Sequence, residues 1–189
     1  MPADISKVTI HMVASLDGYI AKTDNSVSWM DSGDIYEDGI RFEDIDVEAF
    51  LSSIDCYVMG AKTYEHALTL GWPYGDVPTY ILTHRELPVE RQTVKLYSGD
   101  LAGLVNDQLK PLYKNIWMVG GAGLTKDLIH QGLADDIRIT IAPVILGQGL
   151  LFFDHIGREL PLHLKEVSAY RNGMVELWYE IRKDREVQK

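Results

Sequence analysis

The sequence predicts an α/β fold, a mixed central sheet flanked by helices that ends on a C-terminal antiparallel hairpin. Three observations carry this. Short runs rich in β-branched and apolar residues recur at 8–14, 56–59, 79–83, 94–97, 115–119 and 136–142, separated by segments with helical spacing or turn chemistry. Two of these runs pass through glycines straight into a helix start, the order that a strand–helix–strand unit requires. Near the end, Arg171-Asn172-Gly173 separates strand-like runs at about 161–170 and 173–182, and Asn-Gly between such runs signals a hairpin. An antiparallel edge on an α/β sheet is a common mixed arrangement.

Each element follows in order. Residues 8–14 read as the first strand, and 15–21 as a turn built around Asp17-Gly18, a pair suited to tight reversal. Residues 22–35 read as a loop containing Trp29 and Met30. From 42 to 53 an amphipathic helix is expected, because Ile45, Ala49, Phe50 and Ile54 fall near 3.6 spacing. The strand at 56–59 feeds a helix through Gly60, and that helix ends in the loop 71–75. A helix is expected at 100–112, with Asp100 as its cap and Pro111 near its end. The strand at 115–119 meets Gly120-Gly121-Ala122-Gly123, followed by a helix at 124–131 that stops at Gly132. After the strand 136–142, Pro143, Gly147 and Gly149 mark a turn region. No repeat, low-complexity segment or linker interrupts the chain, so one domain over 1–189 is expected, with 183–189 a loose tail.

Composition narrows the function classes. The formal net charge is −10, and the densest basic cluster, Arg182-Lys183-Asp184-Arg185, is interrupted by acid, so no nucleic-acid-binding stripe is expected. Cys56 is the only cysteine and lies in an apolar run, which predicts a buried, unreactive thiol. The histidines at 11, 66, 84, 130, 155 and 163 lack metal-ligand spacing, and no bound metal is expected. Neither a signal pattern nor a long apolar run is present, which predicts a cytoplasmic location and no membrane partner.

Three constellations carry chemistry. In Val119-Gly120-Gly121-Ala122-Gly123-Leu124 a strand ends and a helix begins within a few small residues. Helix N-termini present free N–H groups with partial positive charge, and small residues let a phosphate approach them. A plain tight turn would use the same residues. Gly60-Ala61-Lys62-Thr63 repeats the arrangement, with Lys62 in the first helical turn, where a cation opposes the macrodipole unless an anion sits nearby. Thr83-His84-Arg85 follows a strand and offers a hydroxyl, an imidazole and a guanidinium to a phosphate monoester. All three lie at carboxyl ends of strands, where ligands of open α/β sheets bind.

Taken in order, Ala14-Ser15-Leu16-Asp17-Gly18-Tyr19-Ile20-Ala21, Val58-Met59-Gly60 with Thr63, Tyr80-Ile81-Leu82-Thr83 and Val119-Gly120-Gly121 resemble the dihydrofolate reductase superfamily. The Ser-Leu-Asp-Gly run, Trp29 and the segment 142–149 look most like the reductase domain of bacterial riboflavin biosynthesis proteins and its stand-alone relatives. The resemblance implies a dihydrofolate-reductase-like fold, NADPH as hydride donor and a cytoplasmic oxidoreductase, of the dihydrofolate reductase or 5-amino-6-(5-phosphoribosylamino)uracil reductase type. It implies that Ala14 and Ile20 flank the nicotinamide and that Trp29 borders the entrance. Gly60, Lys62 and Thr63 would bind phosphate, Thr83, His84 and Arg85 the 2′-phosphate, and Gly120, Gly121, Ala122, Gly123 and Leu124 the pyrophosphate, with Val119 also at the cofactor. A cis peptide between Gly120 and Gly121 and a homodimer are implied as well.

The expected reaction is hydride transfer to a C=N or C=O bond of a small heterocycle, pterin-like or riboflavin-precursor-like. A flavin or similar acceptor, or nucleotide binding without catalysis, are the alternatives. Asp31 is the candidate catalytic acid, with Glu37, Glu43 and Asp46 also in range. Trp29, Met30, Tyr36, Trp72 and Tyr74 are candidates to stack on a flat ring. The riboflavin-pathway reductases carry an acid where this chain has Val119 and an Asp where it has Ala67.

Overall fold

The computed structural model describes residues 5–182; the expected tail at 183–189 and most of the basic cluster at 182–185 lie outside the described residues. An eight-stranded sheet has the order β5-β4-β3-β6-β1-β7-β10-β9. Its strands are β1 (Lys7–Ser15), β3 (Cys56–Gly60), β4 (Thr79–Leu82), β5 (Val94–Tyr97), β6 (Asn115–Met118), β7 (Asp136–Ala142), β9 (Leu162–Ala169) and β10 (Val175–Ile181). Neighbours from β5 through β7 run parallel, and β10 pairs antiparallel with both β7 and β9. The expected α/β class with an antiparallel C-terminal pair is what the chain forms. The hairpin turns at Gly173, whose φ of +77° suits glycine.

The parallel strands read as apolar runs because both of their faces are covered. On one face, Val8, Ile10, Cys56, Val58, Ile116 and Met118 join Leu101, Leu104, Leu109, Leu128 and Ile129 from the helical side. On the other, Tyr57, Met59, Ile81 and Trp117 pack with Tyr64, Ala67 and Trp72. Cys56 is fully buried, and burial pushes its thiol up to about 12, well outside the range of a reactive thiolate.

Four local expectations are corrected. The single helix at 42–53 is instead a 3-10 turn at Phe42–Asp44 and a short helix α1 (Val47–Ser52). The Asp46 carboxylate accepts the Ala49 N–H at 2.8 Å and so starts α1 there. Phe42, Val47 and Leu51 are exposed, so the apolar spacing does not make a core stripe. The segment 15–21 is only partly a turn. Tyr19–Ala21 forms a strand, β2, which pairs with β8 (Leu150–Leu151) in a second, two-stranded sheet. The helix at 100–112 is α3 (Leu101–Gly103), capped by Asp100 as expected, and then a π-helical stretch Leu104–Leu109. There the Lys110 N–H reaches back to the Val105 carbonyl at 2.9 Å, and the wider winding lets residues five apart, Leu104 and Leu109, both face the core. Helix α4 (Ala122–His130) begins two residues earlier than expected, because Gly121 is its extended N-terminal boundary and Ala122 is already buried.

Candidate functional site

The topology dictates where a cleft opens. The chain leaves β3 toward β4 and β5 at one edge, and leaves β6 toward β7 on the other side. Adjacent strands whose connections diverge leave a crevice outside their carboxyl ends. The end of β3 and the residues just past β6 meet at that point: the Val119 N–H bonds the Val58 carbonyl at 3.0 Å, and the Gly60 N–H bonds the Gly120 carbonyl at 3.2 Å. The Gly120–Gly121 peptide is cis, the conformation expected from the resemblance.

Two helices begin there. Helix α2 (Ala61–Thr69) starts from Gly60 and α4 from Gly121; neither has a side-chain cap or an acid in its first turn. Their leading N–H groups therefore face the crevice as unneutralised partial positive charge. Nine-residue helices are marginal alone. Tyr64 and Ala67 hold α2 to the sheet, and Ala122, Thr125, Leu128 and Ile129 hold α4.

The resulting cleft has a volume of about 1100 Å³ and is walled by Gly60, Lys62, Thr63, Gly121, Ala122, Gly123 and Leu124 at its glycine-rich end. A β-carbon added at Gly60 or Gly123 would meet nothing within 4 Å, so both glycines open a cradle against the backbone. Gly120 differs. Its φ is +143°, and a β-carbon there would lie 2.6 Å from Thr63 Oγ1. Lys62 is exposed and makes no hydrogen bond or ion pair with the described residues.

Of the residues expected at the site, Ile20, Gly60, Lys62, Thr63, Arg85, Val119, Gly121, Ala122, Gly123 and Leu124 line this cleft. Gly120 is buried behind it. Arg85 is already engaged: its guanidinium donates to the Glu65 carboxylate at 3.0 Å, and Glu65 is also on the wall. Thr83 uses its Oγ1 to accept the Arg85 N–H at 2.9 Å, and His84 points to solvent. Neither lines the cleft. Ala14 is fully buried in the core beneath it. Trp29 is buried with its indole N–H unpartnered, and its neighbour Met30 takes the place on the wall.

The carboxylates are placed elsewhere than expected. Asp31 is exposed and does not line the cleft. Glu37 pairs with Arg171 at 3.1 Å, Asp46 caps α1, and Glu43 is exposed. From α1, Phe50 and Leu51 face the cleft instead. Of the aromatic candidates, Tyr74 lines the cleft; Tyr36 is exposed, and Trp72 is buried with its N–H on the Gly75 carbonyl at 2.8 Å.

Sequence reasoning missed much of the far wall: His11, Phe50, Ile54, Tyr57, His66 and Trp117. Alternation along β1 and β6 could have found part of it, since His11 and Trp117 point to the face opposite Ile10 and Ile116. The His11 imidazole is pushed down to about 4 by burial, despite Glu176 at 4.0 Å, with Arg138 acting in the same direction as burial. It is neutral at pH 7. Glu176 itself is held by Arg138 at 2.6 Å and by the Tyr170 hydroxyl at 3.1 Å.

The turn around Asp17 closes one side. Its carboxylate accepts from the Ser15 hydroxyl at 2.6 Å, the Leu146 N–H at 3.1 Å and the Gly147 N–H at 2.7 Å, and these bonds hold it below the usual carboxylate range. This clamp and the β2–β8 pairing place Ile20, Ala21 and Leu150 at the cleft. Among the described residues no cluster of His, Cys, Asp or Glu is arranged to hold a metal, and no helix is long and apolar enough to cross a membrane.

This sheet order, with its crevice between two glycine-started helices, is that of the dihydrofolate-reductase-like class. Comparison with known proteins is narrower: the RibD C-terminal domain model matches residues 6–176, and the chain belongs to that family. It is 30% identical over 178 residues to the uncharacterized protein YwjB of Bacillus subtilis, covering 92% of this chain and 97% of that one. It is 25% identical over 166 residues to the riboflavin biosynthesis protein RibD of Corynebacterium ammoniagenes, covering 78% of this chain but 46% of that longer protein. The crystal structure of a candidate riboflavin biosynthesis protein from Shewanella sp. PV-4 superposes with a TM-score of 0.76 at 22% identity, over 94% of this chain and 99% of that one.

Proposed function

We propose that this chain is an NADPH-dependent reductase of a small heterocyclic compound. The observation that carries the proposal is the convergence of two uncapped helix N-termini on one glycine cradle, joined by the Gly60–Gly120 hydrogen bond. That arrangement fits a pyrophosphate: N–H donors, the helix dipoles and the open spaces at Gly60 and Gly123 all act on one anion. Lys62 adds a cation where the helix alone disfavours one. Arg85, in the turn after β4, would take the 2′-phosphate that separates NADPH from NADH, in exchange for its exposed partner Glu65. Ile20 and Val119 would flank the nicotinamide.

NADPH supplies the hydride when bound. The protein's part is orientation and exclusion of water: β2 and β8 cover the cleft from one side and α1 from another. Reduction of C=N or C=O adds that hydride to carbon and a proton to the heteroatom. Among the described residues Glu65 is the one carboxylate on the cleft wall and is held by Arg85, so water is the proton source we assign. The same feature favours a second reading, dinucleotide binding without turnover. Titration calorimetry with NADPH and NADH tests the cofactor, and NADPH oxidation with a panel of pterins, pyrimidines and flavins tests turnover. Absence of NADPH binding defeats the proposal; tight binding with no acceptor reduced selects the second reading.

A further inference from the structure

Beyond its glycine-rich end the cleft continues into a recess walled by His11, Phe50, Ile54, Tyr57, Tyr74 and Trp117. The His11 and Trp117 rings lie 4.8 Å apart, Phe50 meets the same indole edge-on at 5.2 Å, and Tyr57 and Tyr74 approach to 4.7 Å. The charged residues on the cleft wall are Lys62, Glu65 and Arg85. All three belong to α2 or to the turn after β4, and none to the recess. Arg138 comes nearest, with its guanidinium 5.0 Å from the Phe50 ring and 5.7 Å from the Trp117 ring. It is off the wall and bonded to Glu176 at 2.6 Å.

The groups that could ionise in the recess are neutral at pH 7. Burial holds the Tyr57 and Tyr74 phenols up and the His11 imidazole down. A phosphate entering the recess would lose its hydration among these rings, while the unpaired cation of the cleft wall, Lys62, stands at the glycine-rich end. A flat uncharged ring would instead meet aromatic faces and edges.

We infer that the recess takes an uncharged planar heteroaromatic acceptor without a phosphate group, packed on Phe50, Tyr57 and Trp117. This rests on the reading that the glycine-rich end holds the dinucleotide. It separates this chain from any reductase whose substrate is carried on a ribose phosphate.

The test uses three related tricyclic probes: lumichrome, an alloxazine without a side chain, and two isoalloxazines, riboflavin with a neutral ribityl chain and FMN with a phosphate. Fluorescence titrations are run on the full chain, with and without saturating NADP+. Lumichrome and riboflavin should bind at least about tenfold more tightly than FMN, and Phe50→Ala should weaken lumichrome at least about fivefold while NADP+ affinity stays unchanged. Leu51→Lys, on the same wall and partly exposed, should narrow the gap in favour of FMN. FMN binding as tightly as lumichrome, or no lumichrome binding, overturns the inference. Loss of NADP+ binding with lumichrome selectivity intact defeats the dinucleotide reading and leaves this one standing.

Discussion

The side chain of Thr63 fills the space that a β-carbon on Gly120 would need, with Oγ1 2.6 Å and Cγ2 2.9 Å from that position. Two segments that lie far apart in sequence are thereby locked at the head of the cleft, where φ at Gly120 is +143°. Gly120→Ala must overlap Thr63 and also enter a backbone region that L residues avoid, at a cost of at least about 2 kcal/mol. Thr63→Ala removes the overlap but not the backbone strain. In a double-mutant cycle followed by urea denaturation, the pair should therefore recover about 1 kcal/mol relative to additivity. Strict additivity would show that the contact is not felt.

Gly123 makes the opposite case. A β-carbon there meets no atom within 4 Å and projects at the cleft. Gly123→Ala should leave the melting temperature unchanged or raise it slightly, since alanine is the better helix former by up to about 1 kcal/mol. NADPH affinity measured by calorimetry should fall by about tenfold, roughly 1.4 kcal/mol. Equal affinity would place the dinucleotide away from α4.

Arg85 and Glu65 form an exposed pair, so breaking it should change stability by less than about 1 kcal/mol. Its effect belongs to the cofactor. Arg85→Ala should reduce the preference for NADPH over NADH by about tenfold, through NADPH alone, a loss of roughly 1.4 kcal/mol. Glu65→Gln frees the guanidinium and should tighten NADPH. A Glu65→Gln variant that binds NADPH more weakly would assign the acid, not the arginine, to the ligand.

His11 makes stability depend on pH. Its folded value of about 4 lies below the ordinary 6.5, so the unfolded chain binds the proton more readily. Neutral His11 therefore contributes stability that is present above pH 6.5 and is lost as pH falls from there through about 4. The span corresponds to at most about 3 kcal/mol, less because a quarter of the imidazole is exposed. Denaturation midpoints at pH 7.5 and 5 should differ less for His11→Gln than for the parent chain. An unchanged pH slope would assign the acid sensitivity to other groups.

Much of the framework was legible because it is written locally. The β7 segment and the hairpin signal at Asn172-Gly173 are read from neighbouring residues, and so are the glycines between β6 and α4. The helix at 42–53 was not, because periodicity cannot tell whether an apolar stripe finds a partner; Phe42 and Val47 remain exposed. Nor was β2, since a three-residue strand exists only through its pairing with β8, about 130 residues later.

The sequence by itself determined the mixed α/β class, the dihydrofolate-reductase-like order of motifs and the two strand-to-helix glycine sites. Those features depend on backbone freedom and side-chain period, which short segments carry within themselves. Tertiary structure alone decided which chemistry shares a wall. It brought Lys62, Gly123 and Arg85 to one cleft and left His84 and Asp31 outside it. It also assembled an uncharged recess from His11, Phe50, Tyr57 and Trp117, residues of four different elements. No local pattern encodes that meeting, because it follows from strand order and register, set by the burial of the whole sheet.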